Sequence, residues 1–591
     1  MLQKIRTVVF SRKALLVAAP TLGVLLFYWA FLFTGDRYKG GDFDYYAQLY
    51  EAFRATVLEY HQFPIWNPWA AGGTPLLANP QFGLISIQAV TTLLFGTIMG
   101  LKLAFVAYGL IGFWGMYTVA RQLAGASYIN AVLISFIWIM SGFFYHHSID
   151  HITLALFHFF PWLFYLFVRR HTGRNWLWLA LVLSLVALTS PHYAMLMSIA
   201  VLLLAWAFEQ LNLKWQKAKL HITFDLPKKD LLLGLKVGAV FILLAGYRIY
   251  LSYGYLKQYP RPAEQLAEPA NTIELLLKAL FWPVEKLNAI PGTHWGWTEY
   301  SMNIGIASGI LVAAGLLALL WKFAVNPLRF TWLARLWKDQ KVFCVAFLIA
   351  VVAFLLAMGD QGSLSLFNIL RHLPGFTETR VASRWLIFTV FFALFLLAAW
   401  KPQKRAWLLT LLLAVSVVQL FAFYTRPADT FMGVAPQAAN YQQPFEQFRA
   451  DKGQRYPGFG NSNPSEALLS YYYATTQNRG SVIMDDSFIN TYTTVPTLRC
   501  GSNKLENCGL VLSGNARVTY WSPNRITLER TGTGPIELNM NPGRDWVING
   551  ARPFAKERKA ETEQRFIIDP SGNTVQLKVA PRNTPFGFFT K

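Results

Sequence analysis

Residues 14–33 read ALLVAAPTLGVLLFYWAFLF, an uninterrupted apolar run without a charge, and this run decides the class of the protein. About 20 residues of helix cross a hydrocarbon core. Comparable runs follow at 231–253, 303–321, 342–358, 385–400 and 406–424. The 591 residues are 54% hydrophobic and only 14% charged, against roughly a quarter charged in a soluble domain. The pattern predicts a polytopic α-helical membrane protein with about eleven transmembrane helices. The segment 81–98 is read as re-entrant or interfacial.

A net charge of +22 would suit a nucleic-acid binder, but its distribution excludes one. Basic residues gather at every second connection between apolar runs: Lys4, Arg6, Arg12 and Lys13; Arg121; Arg169, Arg170 and Arg174; Lys214 to Lys229; Lys322 to Lys341; Lys401 to Arg405. This alternation is the positive-inside pattern. It predicts a cytoplasmic N-terminus and outer loops at 34–80, 145–152, 254–302 and 359–384. The first run lacks a small-residue cleavage site and is read as an uncleaved helix. An odd number of spans puts the C-terminus outside.

The sequence changes character after Tyr424, so a transmembrane domain is expected at 1–424. TRPADTFMGVAPQAANYQQP (425–444) reads as a linker. From 445 to 591, short alternating segments at 525–529, 536–540 and 574–579 are bounded by Gly, Pro or Asn, which predicts a mainly β extracytoplasmic domain. A helix is expected near 464–475. Cys500 and Cys508 lie in this outer region, where oxidising conditions permit a disulfide, and no nearby Cys or His completes a zinc set. Two outer segments, 45–60 and TIELLLKALFWPVEKL at 272–287, have helical apolar spacing and are read as interfacial helices.

Three clusters bear chemistry. Asp42 and Asp44 follow Gly40 and Gly41 in the first outer loop, where aromatic neighbours suit a general base with a raised pKa; the plain alternative is two solvated loop acids. FFYHHSIDHITL (143–154) places His147, Asp150 and His151 at an outer helix end. His147 and His151, four apart, share a helix face and suit a phosphate or a divalent metal, or simply cap the bundle. His192 lies at another outer turn and is grouped with them. RHLPGFTETRVASRWLIF (371–388) brings Arg380 and Arg384 to the outside, where the topology rule gives no reason for them, and Arg248 lies at another outer helix end. Forked guanidinium groups there suit a phosphate, or snorkel to headgroups.

The acid Asp42, followed 22 positions later by PIWNPWAAGGTPLLANPQ (64–81), resembles the YfhO-like branch of the C-type (GT-C) membrane glycosyltransferases. Asp150-His151 leading to Pro161-Trp162, the Leu373 to Phe376 element with Arg380 and Arg384, and YWSPNRITLERTGTGPIELNMNPGRDWVINGARP (520–553) are similar to further elements of that family. The resemblance implies a GT-C-like fold and a polyprenyl-phosphate-sugar donor. It also implies transfer to a glycan, lipid or protein acceptor on the outer face of the bacterial inner membrane. Asp42 would be the base, with Asp44 as alternate. Arg380, Arg384 and Arg248 would take the donor phosphate, and Asp150, His151, His147 and His192 substrate or a divalent metal; no resident cofactor is implied. A transporter or flippase for lipid-linked sugars would use the same arginines without needing Asp42. Such proteins usually show repeated halves, and no internal repeat is evident.

Overall fold

Four helices among the described residues are long and apolar enough to cross a membrane: Thr97–Leu123, Lys228–Lys257, Ala382–Ala399 and Ala406–Tyr424. Seven shorter apolar helices of 10–17 residues accompany them, from Ala14–Phe27 to Lys341–Ala357. The chain is therefore a multi-pass membrane protein. The computed structural model describes residues 12–33, 42–70, 72–148, 151–216, 219–258, 269–282, 297–325, 329–377, 379–401, 406–424, 439–442, 445–448, 471–481, 507–508, 510–540, 546–553 and 566–579. Asp150 and Cys500 lie outside these residues, as do most of the expected linker and the start of the expected 464–475 helix, which is described from Tyr471 to Thr476.

The chain divides into two compact units. The first holds Met1–Phe33, Ala104–Tyr247 and Ala263–Pro427. Its centre is the helix Leu386–Ala399, LIFTVFFALFLLAA, apolar on every side and hence suited to burial all round. Phe388, Phe391 and Phe392 meet Phe160 at 4.7, 4.9 and 6.1 Å, and Trp138 packs on Phe391 at 5.6 Å. By contrast, only 17% of the Lys228–Lys257 window and 22% of the Ala406–Tyr424 window are buried. Leu235 and Leu243, 71% and 82% exposed, are tolerable only against lipid. The expected helix at the start of TIELLLKALFWPVEKL is present as Ile273–Phe281; it buries Leu275, Leu276, Ala279 and Leu280 and leaves Ile273, Leu277 and the following Trp282 exposed.

The second unit comprises Thr34–Leu103, Arg248–Pro262 and Ala428–Lys591. Its C-terminal part holds two four-stranded antiparallel sheets. In one, the order is Trp546–Asn549, Thr574–Val579, Arg525–Arg530, Ala516–Ser522; in the other, Ala551–Pro553, Phe566–Pro570, Ile536–Leu538, Val511–Ser513. Alternation along each strand turns Ile526, Leu528, Val575 and Leu577 inward, where they join Ile536, Leu538 and Ile568 in one core.

That core is completed from the first outer loop. Ile65 and Trp66 are part of it, with Trp66 5.6 Å from Trp546. The expected boundary near 445 therefore does not coincide with the compact units: Thr34–Leu103 falls in the same unit as the C-terminal strands, and its Ile65 and Trp66 join their core. Trp66 and Asn67 pair with Pro75 and Thr74 in a short antiparallel bridge. Gly73 sits at φ 101° with its α-carbon against the Trp66 ring; a Cβ there would lie 2.7 Å from Trp66 Nε1. Only glycine meets both conditions without strain.

The expected helix in the first outer loop is present as Asp42–Leu58, but it is no interfacial helix. Every residue from Phe43 to Phe53 is buried. Its polar residues are matched by the unit around it, so the helix serves as an internal strut. The 81–98 segment forms the nine-residue helix Ile87–Phe95, N-capped by Ser86, too short to span.

Candidate functional site

In the helical unit, four separated segments bring charged and aromatic side chains together. Tyr128–Ile139 ends at a turn, and the next short helix, Gly142–Ser148, carries His147. His151 follows, buried, with Nδ1 2.9 Å from Thr153 Oγ1 and its ring 6.5 Å from that of His147. A 3-10 turn, Trp297–Glu299, supplies Glu299. The turn Ala382–Trp385 supplies Arg384, and the helix Tyr193–Glu209 supplies Tyr193.

Glu299 is the hub. Arg384 donates to it through Nε (2.8 Å) and Nη2 (2.5 Å), the paired geometry of a guanidinium on a carboxylate. His147 Nε2 lies 3.7 Å from Glu299 Oε2. Ser383 Oγ donates to the Glu299 carbonyl at 2.7 Å, so side chain and backbone of the acid are both fixed. The Arg384 guanidinium lies over the Tyr193 ring at 4.5 Å, and the Tyr193 hydroxyl accepts from the Arg380 N–H at 3.4 Å. His192, buried beside it, packs its ring 4.2 Å from that of Tyr193.

Electrostatics follow from this arrangement. Burial alone would raise the Glu299 pKa, but Arg384 foremost, with His147 and His151, outweighs it and brings it down to about 2. His151 is held well below the ordinary histidine value, first by burial and then by the positive charge of Arg384. It is a neutral imidazole near pH 7. Val381, between the two arginines, adopts φ 62°, a left-handed conformation that a β-branched residue enters only under strain of about 1–3 kcal/mol. Strain and buried charge thus coincide in one turn.

In the second unit, Asp42 and Asp44 open the helix Asp42–Leu58, where the helix dipole favours carboxylates. Asp42 is exposed, whereas Asp44 is buried and accepts from the Tyr472 N–H at 3.2 Å. Asp44, Gln48 and Glu51 share one face of this helix, and all three are buried. Gln48 exchanges amide hydrogen bonds with Asn67 at 3.1 and 3.2 Å and donates to Thr475 Oγ1 at 3.3 Å. The hydroxyls of Thr97 and Tyr441 donate to Glu51. Burial, reinforced by Glu51, raises the Tyr441 pKa well above its usual value, so the phenol stays a donor.

Much of the 64–81 motif is structural. Asn79 Nδ2 donates to the Tyr45 hydroxyl (3.0 Å), Gln81 Nε2 to that of Tyr46 (3.2 Å), and Trp69 Nε1 to Asn478 Oδ1 (3.0 Å). Arg248, grouped from sequence with the phosphate-binding arginines, is buried and donates to the carbonyls of Leu77 (2.7 Å), Asn79 (2.5 Å) and Phe82 and to Ser252 Oγ (2.9 Å). In the described arrangement it pins the loop.

The structure thus gathers His147, His151, His192, Arg380 and Arg384 in one unit, and Asp42, Asp44 and Arg248 in the other. Asp150 and Cys500 are outside the described residues, and Cys508 is described only as part of the strand Asn507–Cys508. Among the described residues, no group of three His, Cys, Asp or Glu is placed to hold a metal ion. The guanidinium seated on Glu299 also opposes a cation at that carboxylate. Glu299 and Glu51 were not singled out from sequence. The i, i+4, i+7 spacing of Asp44, Gln48 and Glu51 carries a readable signal, while Glu299 offers only a lone acid in an aromatic loop.

No protein-family profile matches the chain, and no curated protein matches it. Among solved structures, the cryo-EM structure of arabinofuranosyltransferase AftD from Mycobacteria matches at 12% identity with a TM-score of 0.48. The match covers 97% of this chain and 40% of that one, so this chain spans less than half the length of AftD.

Proposed function

We propose that the protein is a membrane glycosyltransferase of the GT-C type. In this reading it moves a sugar from a polyprenyl-phosphate-linked donor to a cell-envelope acceptor on the outer face of the bacterial inner membrane. The observation that supports this most is the Glu299–Arg384–His147 group, with Arg384 and His147 buried and Glu299 half-buried, and its strained turn. Ionisable residues held at the ends of apolar helices are costly and mark substrate sites more often than packing. The motif resemblance of residues 42–81 and 371–385 supplies the reaction type.

In the proposed reaction the acceptor hydroxyl gives its proton to the Asp42 carboxylate, with Asp44 as alternate, and its oxygen bonds to the anomeric carbon. The bond from that carbon to the phosphate oxygen breaks, and its electron pair leaves on polyprenyl phosphate. Arg380 and Arg384 balance the charge that develops. A phosphate competes with Glu299 for the same guanidinium fork, so donor binding displaces the carboxylate, and His147 and the neutral imidazole of His151 are polar neighbours for the sugar or phosphate.

The test is release of polyprenyl phosphate by the purified protein from a panel of polyprenyl-phosphate sugars. Asp42→Asn should lower release by about 10²–10⁴-fold, the ordinary contribution of a general base, with the protein still folded. Full activity in that variant overturns the base assignment. Protein-dependent movement of the lipid across vesicles without release puts the transporter reading first.

A further inference from the structure

Between the helices Tyr193–Glu209 and Lys228–Gln258, the connection folds into an antiparallel hairpin, Leu211–Gln216 with Lys219–Phe224. Side chains alternate across such a ribbon. Leu211 and Leu213, paired with Phe224 and Ile222, fall on one face; Asn212 and Lys214, paired with Thr223 and His221, fall on the other. The hairpin is amphipathic. A two-stranded ribbon is marginal in water on its own, and bonds at its base hold this one. Trp337 Nε1 donates to the Leu211 carbonyl (2.9 Å), Lys341 Nζ to Asn212 Oδ1 (3.4 Å), and Asn212 Nδ2 to Asp225 Oδ2 (2.7 Å).

Leu211 and Leu213 are half-buried, but the described apolar side chains of the second strand and the turn after it are uncovered. Ile222 is 60% exposed and Phe224 and Leu226 are each 49% exposed. The same bare surface continues into Leu231, Leu232 and Leu235 at the start of the next helix, one of those long and apolar enough to span. Cations surround this band: Lys214, Lys228 and Lys229 from the hairpin and helix start, and Arg335 and Lys338 from the helix Arg329–Asp339, all exposed. The nearby described acids are Asp225, bonded to Asn212, and the exposed Asp339, with Glu209 and Asp230 engaged by Arg170. Lys228 and Lys229 also sit in the first turn of their helix, where the dipole disfavours cations.

We propose that this hairpin and the Arg329–Asp339 helix form a cytoplasmic-side platform that lies in the headgroup layer and binds anionic phospholipid. Ile222, Phe224 and Leu226 enter the acyl region. Lys214, Lys228, Lys229, Arg335 and Lys338 take the phosphate charges and relieve the unfavourable helix start. Continuity with a lipid-facing helix selects the bilayer, rather than another protein, as the occupant. Sequence topology places the connection on the cytoplasmic side, where anionic lipid attracts juxtamembrane cations.

The test uses the full chain in nanodiscs of phosphatidylcholine, with and without phosphatidylglycerol. Native mass spectrometry should show preferential retention of phosphatidylglycerol. Neutralising one lysine should reduce that preference about fivefold, and Lys214/Lys228/Lys229→Gln by roughly tenfold or more, while the triple Lys→Arg variant keeps it. A fluorophore on Phe224→Cys should emit as in an apolar medium and be quenched by lipids with nitroxide near the top of the acyl chain; one on Lys214→Cys should emit closer to water. Retained preference in the Gln variant, or a Phe224 label quenched by aqueous iodide, overturns the proposal. So does an apolar label that lipid nitroxides do not reach, since protein then covers the face.

Discussion

The Glu299 group of the helical unit, with Arg384 and His147 buried around a half-buried acid, and the buried polar face of the Asp42–Leu58 helix are held differently. The first joins full opposite charges, a guanidinium and a carboxylate, with an imidazole 3.7 Å from the carboxylate. The second relies, around Gln48, Asn67 and Thr475, on neutral amides and a hydroxyl. Removing one partner from a buried ion pair strands a charge, whereas removing one from a neutral pair strands a dipole. The charged group is therefore responsive to pH and to competing anions, and the neutral one is a fixed joint.

Glu299→Gln is the sharpest way to test this difference. It should destabilise the protein by about 3–5 kcal/mol by leaving Arg384 buried without its carboxylate. Pairing it with Arg384→Met should recover part of the loss in thermal unfolding. If the single variant unfolds like the parent, the pair is not the anchor described here.

Acid should act next. Glu299 has a folded pKa near 2 against 4.5 ordinarily, so its contribution is complete above pH 4.5 and is lost as pH falls toward 2. The shift corresponds to roughly 3 kcal/mol. His151, whose folded pKa is depressed, adds a loss that begins as pH drops below 6.5. Unfolding temperatures followed downward from pH 7 should fall from about 6.5, and the lower part of the fall should be missing in Glu299→Gln.

Asn67→Ala should cost less, about 1–3 kcal/mol, by leaving Gln48 short of its partner, and the cost should not change between pH 5 and 8. A pH-dependent cost would mean that the joint is coupled to a titrating group and would blur the contrast. The exposed pair Arg517–Glu529, at 2.7 Å with side chains 71% and 49% exposed, marks the bottom of the scale. Glu529→Gln should change stability by less than about 1 kcal/mol.

The same contrast explains what the sequence made legible. Apolar runs declare helices because lipid requires them, and period-two alternation declared the strands at 525–530 and 574–579. The arginine and histidine clusters stood out against a background poor in charge. Glu299 did not, because its meaning lies in Arg384, 85 residues away. The burial of the Asp42–Leu58 helix was equally hidden: its apolar spacing fits a membrane surface as well as a protein interior, and only residues far along the chain decide between them. The hairpin at 211–224 was read as a basic connection because its lysines mask the alternation beneath.

Trp66 and Ile65 belong to a core whose remaining members, Leu510 to Val579, lie more than 400 positions further along the chain. The bond between Gln62 and Ser522 joins residues 460 positions apart, and at 5–20 residues per second their synthesis is separated by about 20–90 s. For that interval a tryptophan-bearing loop waits without its strands, while the chain that will receive it is still on the ribosome. Assembly of the second unit thus depends on strands made much later, and during the delay the waiting loop is a natural client for a holding chaperone.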